Sequence, residues 1–335
     1  MQHPTHRHPS ESVRPNASFY YDPAQVVEMF FFPEKPQTNR MPTIYYSPSY
    51  VAAEHAFSTT RKAGWVADSL QQSPIEGILI QPPEPLTYRQ LLTVHSNEYV
   101  QAVATGIPRS RASSQGFEWG PQLLPAVLAS NGGVVAAALQ ALKAGVSGSL
   151  SSGLHHAHRN WGLGFCTFNG LAIAAHRALE AGAESVLILD LDAHCGGGTA
   201  AIIQSERRIK QVDVSVCEFD EYADTINSIL TMVDGVKYLA TIERVLAQCE
   251  TQTFDLCLYN AGMDPFEDDV QGGVAGVTMP VLACREALVF DWCRRRHLPV
   301  AFVLAGGYVG GNVDVPTLVA LHRLTLQAAA GVLMA

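Results

Sequence analysis

Several short runs in this chain are apolar at consecutive positions rather than alternate ones, and that limits the fold more than any other feature. Val186-Leu-Ile-Leu, Leu256-Cys-Leu-Tyr and Ala301-Phe-Val-Leu have no polar face to turn to water. Such a strand is covered on both sides, the situation of parallel strands flanked by crossover helices. We read strands over Thr43–Tyr46, Ser185–Leu191, Val212–Val216, Asp255–Tyr259 and Val300–Leu304. Helical segments lie between them, among them Asn131–Lys143, Leu171–Ala181 and Val236–Cys249, and Gly145, Gly182 and Pro299 punctuate helix ends. No repeat or long linker follows Pro42. The expected architecture is α/β: a single doubly wound, mostly parallel sheet flanked by helices, in one catalytic domain over residues 42–335.

Residues 1–41 read as an N-terminal extension. His3, His6 and His8 among prolines suit a partly flexible tail, whereas Phe30-Phe31-Phe32 is too apolar for one. That patch is expected to pack on this domain or on a second copy as a homo-oligomer contact. With 22 Lys and Arg against 31 Asp and Glu, the formal charge is −9, which argues against a nucleic-acid footprint. The run Arg294–Arg296 reads as cations closing a helix. No stretch is expected to reach membrane-span length, and the first residues lack a signal-peptide pattern. Seven scattered cysteines without a CxxC spacing fit a reduced, cytoplasmic protein.

In open α/β sheets, chemistry collects beyond the carboxyl ends of the strands. Those ends read Asp190-Leu-Asp192-Ala-His194, Asn260-Ala-Gly-Met-Asp264 and Ala305-Gly-Gly-Tyr308, with Gly153-Leu-His155-His156 following a further apolar segment. Singly, each is ordinary: a carboxylate at a strand end is often a helix cap. Together, Asp192, His194 and Asp264 offer two oxygens and an imidazole, the open ligand set of a catalytic Zn²⁺, with Fe²⁺ the alternative. His155 and His156 are candidates for moving protons and Tyr308 for an oxyanion donor. These parts describe metal-assisted amide hydrolysis.

The same segments resemble the histone deacetylase superfamily with its arginase-like fold. The likeness is carried by GLHHA at 153–157, GFCTFN at 164–169, DLDAHCGGGT at 190–199, NAGMDPFEDDVQGG at 260–273 and AGGY at 305–308. Weaker agreement extends it over roughly residues 42–325, and the wording is closest to class IV. The resemblance implies zinc on Asp192, His194 and Asp264. It implies His156 as general base and then acid, His155 paired with Asp190 and largely charged, and Tyr308 on the carbonyl oxygen. Gly164, Phe165 and Cys166 would line an acyl-lysine channel. A structural K⁺ would be held by main-chain carbonyls of Asp190, Asp192, His194 and Val216 with the Ser215 hydroxyl. The implied substrate is an acyl-lysine peptide or another acylated amine.

Three departures stand out. Gly197 replaces the Asp or Asn that orients the second histidine of the pair, so His156 is expected to need water or a backbone carbonyl to fix its tautomer. Cys195 follows the metal-binding histidine, and a packed, inert thiol is expected there. The stretch from Ser215 to Asp264 is short; Phe219 and Tyr222 compete as the second channel wall, and Glu118 is the candidate rim carboxylate. A two-metal ureohydrolase is disfavoured by Gly196 and Pro265, which stand where further ligands are needed. A small-molecule or polyamine deacylase stays open, as does a metal-binding scaffold with weakened catalysis.

Overall fold

The computed structural model describes residues 41–53 and 58–331. Expectations for His3, His6, His8 and Phe30–Phe32 fall outside these residues. Eight parallel strands form one sheet: β1 (Thr43–Tyr45), β2 (Leu79–Gln81), β3 (Val146–Ser149), β4 (Val186–Asp190), β5 (Ile209–Ser215), β6 (Ser228–Met232), β7 (Leu256–Ala261) and β8 (Val300–Leu304). Their order is β2-β1-β3-β8-β7-β4-β5-β6.

Strand alternation explains why the central runs are apolar throughout. Leu187 and Leu189 of β4 enter one core, together with Tyr259 of β7 and Phe302 of β8. Val186 and Ile188 enter the core on the opposite face, with Leu258 and Val303. Each fully buried aliphatic side chain contributes about 1.5–3 kcal/mol, so a polar residue at any of these positions would break one face. The edge strands β2 and β6 are partly exposed and lack that signature, which is why the sequence reading omitted them.

Helices Lys62–Gln72, Tyr238–Cys249, Met279–Arg295 and Val315–Ala330 cover the first core; Asn97–Thr105, Leu123–Ala144 and Gly170–Glu180 cover the second. Helix ends follow local chemistry. Asp314 caps the Thr317 N–H, Pro316 occupies the first turn, and Gly331 closes that helix in the left-handed region. Arg294 and Arg295 do lie in a last helical turn. The expectation that no stretch reaches span length needs one correction. Leu123–Ala144 is 22 residues and apolar enough to cross a membrane, but it is a core helix packed on β3, β8 and Gly170–Glu180.

Candidate active site

Four adjacent strands, β3, β8, β7 and β4, deliver the predicted residues to one edge of the sheet. Asp190 pairs in register with Asn260, so the segments running beyond β4 and β7 start side by side. The β4 extension does not continue as a pleat. Asp192 and His194 are brought together by a bend in which Asp192 Oδ1 accepts the His194 N–H at 3.1 Å.

Asp192, His194 and Asp264 converge, each offering one ligand atom within 4.8 Å of the others. His194 Nδ1 lies 3.2 Å from Asp192 Oδ1 and 3.1 Å from Asp264 Oδ2. Four donors at about 2.1 Å from a tetrahedral ion are about 3.4 Å apart, so the donor set fits such an ion. The remaining carboxylate oxygens are held by backbone: Gly306 N–H donates to Asp192 Oδ2 at 2.7 Å, and Ala193 N–H to Asp264 Oδ1 at 3.0 Å. Burial opposes charge on His194, but hydrogen bonds to the Asp192 and Asp264 carboxylates outweigh it and raise the imidazole to about 11. The same field would attract a metal cation.

The histidine pair is split electrostatically. His155 Nδ1 is 2.8 Å from Asp190 Oδ2, and Asn260 donates to the other oxygen of that carboxylate at 2.8 Å. Burial lowers the His155 pKa, but Asp190 and Asp192 overcome it and lift it to about 10. His156, its ring centroid 4.0 Å away, is pushed down to about 4 by burial and by charged His155. At pH 7 these shifts favour a cationic His155 beside a neutral His156. Asn169 fixes the segment. It caps Gly170–Glu180 through the Ala172 N–H and donates to the carbonyls of His155 and Ala157.

The expectation that His156 relies on water or a carbonyl is corrected. Its Nδ1 lies 3.0 Å from Asp220 Oδ2, a carboxylate from the turn after β5. Asp220 was invisible to sequence reading because its partner is 64 residues away.

Tyr308 sits almost fully buried at the end of β8, its N–H bound by Asp269 Oδ2 at 2.7 Å. Burial first, then the Asp264 and Asp192 carboxylates, hold its phenol protonated, well above the usual range. Asp269, within the DDVQGG run, was not singled out; its other oxygen takes the Gln271 N–H at 2.9 Å.

Gly164 and Phe165 form a tight turn with φ of 50° and 65°. A side chain at Gly164 would collide with His156 Cδ2 at 2.5 Å and Phe219 Cε1 at 2.9 Å, so the close approach of these two rings requires glycine here. Phe165 stacks on Phe117, centroids 5.3 Å apart, and Phe219 stands 4.9 Å from the His156 ring. Between the two wall candidates, Phe219 is placed at the site, whereas Tyr222 turns its hydroxyl to Asp213. Cys166 is buried, its thiol directed at the Gly164 carbonyl. Glu118 is exposed beside Phe117. Cys195 is buried against the Cys217 carbonyl, and burial pushes its thiol up to about 12, as an inert cysteine requires.

Of the expected monovalent-cation residues, Ser215 ends β5 and donates to Asp213 Oδ1 at 2.5 Å. Asp213 pairs in register with Asp190. Burial and Asp190 hold the Asp213 carboxyl well above its usual range. Val216 follows, its N–H bound to the Ala193 carbonyl.

An all-parallel sheet with an Asp-His-Asp group, a split histidine pair and a buried tyrosine at one edge defines a hydrolase site of the deacetylase kind. The chain belongs to the histone deacetylase domain family, whose model matches residues 55–322. It is 31% identical over 297 residues to an uncharacterized protein of Picosynechococcus sp., covering 85% of this chain and 97% of that one. Histone deacetylase 2 of Arabidopsis thaliana is 24% identical over 296 residues, 82% of this chain and 76% of its own. In fold, the chain is similar to an acetylpolyamine aminohydrolase from Burkholderia pseudomallei, with TM-score 0.72, 19% identity, and coverage of 87% of this chain and 99% of that chain.

Proposed function

We propose that this protein is a zinc-dependent amidohydrolase that removes an acyl group from an acyl-lysine side chain or a related N-acyl amine. The observation that carries the reading is the convergence of Asp192, His194 and Asp264 beside a histidine pair whose members each face a carboxylate, Asp190 for His155 and Asp220 for His156. Asp192, His194 and Asp264 would hold a Zn²⁺ or Fe²⁺, which would supply Lewis acidity toward water and the acyl carbonyl.

The chain's own groups perform the rest. Neutral His156 accepts the water proton at Nε2 and returns it to the departing amine nitrogen. Cationic His155, held by Asp190, stabilises the negative charge that develops. The Tyr308 phenol donates to the carbonyl oxygen and holds it as charge accumulates. Phe165 and Phe219 flank the approach and receive an extended alkyl chain better than a bulky one. A structural K⁺ would be held by main-chain carbonyls of Asp190, Asp192, His194 and Val216 with the Ser215 hydroxyl, beside the buried Asp190 and Asp213 pair. All seven cysteines are free thiols, which supports a cytoplasmic setting.

A polyamine deacylase uses the same groups, and its substrate is the second arm of the test. Zinc-loaded and iron-loaded protein should be assayed with acetyl-lysine peptide, a longer acyl-lysine peptide and acetylated polyamine. Turnover of any of them, abolished by chelation and restored by metal, is the expected result. Tight metal binding with no turnover of any of the three would instead identify a binding scaffold.

A further inference from the structure

Asp220 occupies an unusual place. It lies in a turn in which the Glu221 N–H bonds the Glu218 carbonyl at 3.1 Å, and its φ of 60° is left-handed, a conformation Asp tolerates better than most residues. The turn directs the side chain inward, leaving it 8% exposed. There its carboxylate meets three donors: His156 Nδ1 at 3.0 Å, Gly198 N–H at 3.0 Å and His158 Nε2 at 3.2 Å. It does so in the space that a side chain at residue 197 would take. A Cβ on Gly197 would overlap the Asp220 carbonyl and stand 2.6 Å from its Oδ1 and 2.8 Å from its Cγ. Asp220 in this position therefore requires glycine at 197. The preceding residue, Phe219, is the aromatic wall 4.9 Å from His156, and its carbonyl takes the Cys195 N–H at 3.0 Å.

We infer that Asp220 is the positioning residue for His156, and that one turn, 218–221, sets the orientation of the base and the wall of the channel together. The inference rests on the hydrolase reading for its catalytic consequence. A carboxylate only accepts hydrogen bonds, so it keeps the hydrogen on Nδ1 and the lone pair on Nε2. When His156 takes a proton at Nε2, Asp220 faces the resulting imidazolium and stays ionised; no proton passes to it.

The test uses metal-loaded full-length protein with Asp220→Ala and Asp220→Asn. The Asp220→Ala variant should lose about 100-fold in kcat, with KM within about two-fold and metal content unchanged. Added formate should restore at least about ten-fold of that loss, because it can enter the space the carboxylate left. In NMR spectra of resting protein, the His156 Nδ1–H resonance should be protected in wild type and Asp220→Asn and exchange-broadened in Asp220→Ala. If Asp220→Ala does not fold, Asp220→Leu, which also removes the acceptor, takes its place with the same expected losses, while Asp220→Asn, whose amide oxygen still accepts, should keep more kcat than either. Wild-type kcat or an unchanged Nδ1–H signal in a folded Asp220→Ala, or in the Asp220→Leu that replaces it, overturns the assignment. A wild-type protein without acylamidase activity overturns the hydrolase reading instead, while the NMR comparison still decides the hydrogen bond.

Discussion

Arg285 is fully buried beneath the metal-ligand loops, and its removal separates stability from site geometry. Its Nη1 donates to the Gly262 carbonyl at 2.7 Å, the Tyr238 hydroxyl at 3.0 Å and the Leu191 carbonyl at 3.3 Å. Leu191 precedes Asp192, and Gly262 lies two residues before Asp264, so one guanidinium ties both ligand loops. Its Nε and Nη2 bind Glu286 Oε1 at 2.8 and 2.6 Å, and Tyr259 donates to the same oxygen at 2.7 Å. Arg285→Met leaves the Glu286 carboxylate buried with only Tyr259, and breaking such a pair costs about 3–5 kcal/mol. At an unfolding entropy of about 2.1 cal/mol/K per residue, this chain should lose about 4–8 °C in Tm. Arg285→Met with Glu286→Gln removes both charges and should recover most of that loss. It should not recover metal affinity, which we expect to stay about 10–100-fold weaker because the two carbonyls lose their common donor. Thermal unfolding and competitive chelator titration measure the two quantities. A double variant that regains neither or both, or a single variant with unchanged Tm, would refute the reasoning.

Further outcomes follow from individual groups. Tyr308→Phe should lower kcat by about 10²-fold, the scale of one oxyanion donor, with metal content intact by elemental analysis; an unchanged rate would exclude the phenol from the reaction. Asp264→Ala should release the metal, and full stoichiometry in that variant would refute the ligand assignment. His95 donates from Nδ1 to the His158 carbonyl and accepts the Asn169 N–H at Nε2, and burial lowers it from 6.5 to about 4. The folded state thus binds that proton less readily than the unfolded chain. The contribution is complete above pH 6.5 and lost as pH falls to 4, about 3 kcal/mol in all. Denaturant midpoints between pH 7 and 4 should show this loss, and His95→Gln should flatten it.

The strands that bury both faces were legible because short runs rich in Val, Ile and Leu and bounded by breakers fit parallel strands covered on both sides. β2 and β6 escaped because edge strands need no such run. The Asp-His-Asp group was legible for a related reason. Its members sit a few residues beyond strand ends, in segments whose wording leaves little alternative. Asp220, Asp269 and Arg285 were not, since each acts by closing a contact across distant segments, and a lone carboxylate or arginine carries no local mark of it.

Composition and order therefore determined a parallel, two-sided sheet and the kinds of atom gathered at its carboxyl edge. Backbone periodicity and residue chemistry are local properties, and both are written in the chain. Tertiary structure alone decided that β3, β8, β7 and β4 are neighbours, so that four tips share one site. It also decided which carboxylate faces His156, because a hydrogen bond depends on positions to within tenths of an ångström. Gly197 marks the gap in the sequence, and only the packed turn shows that Asp220 fills it.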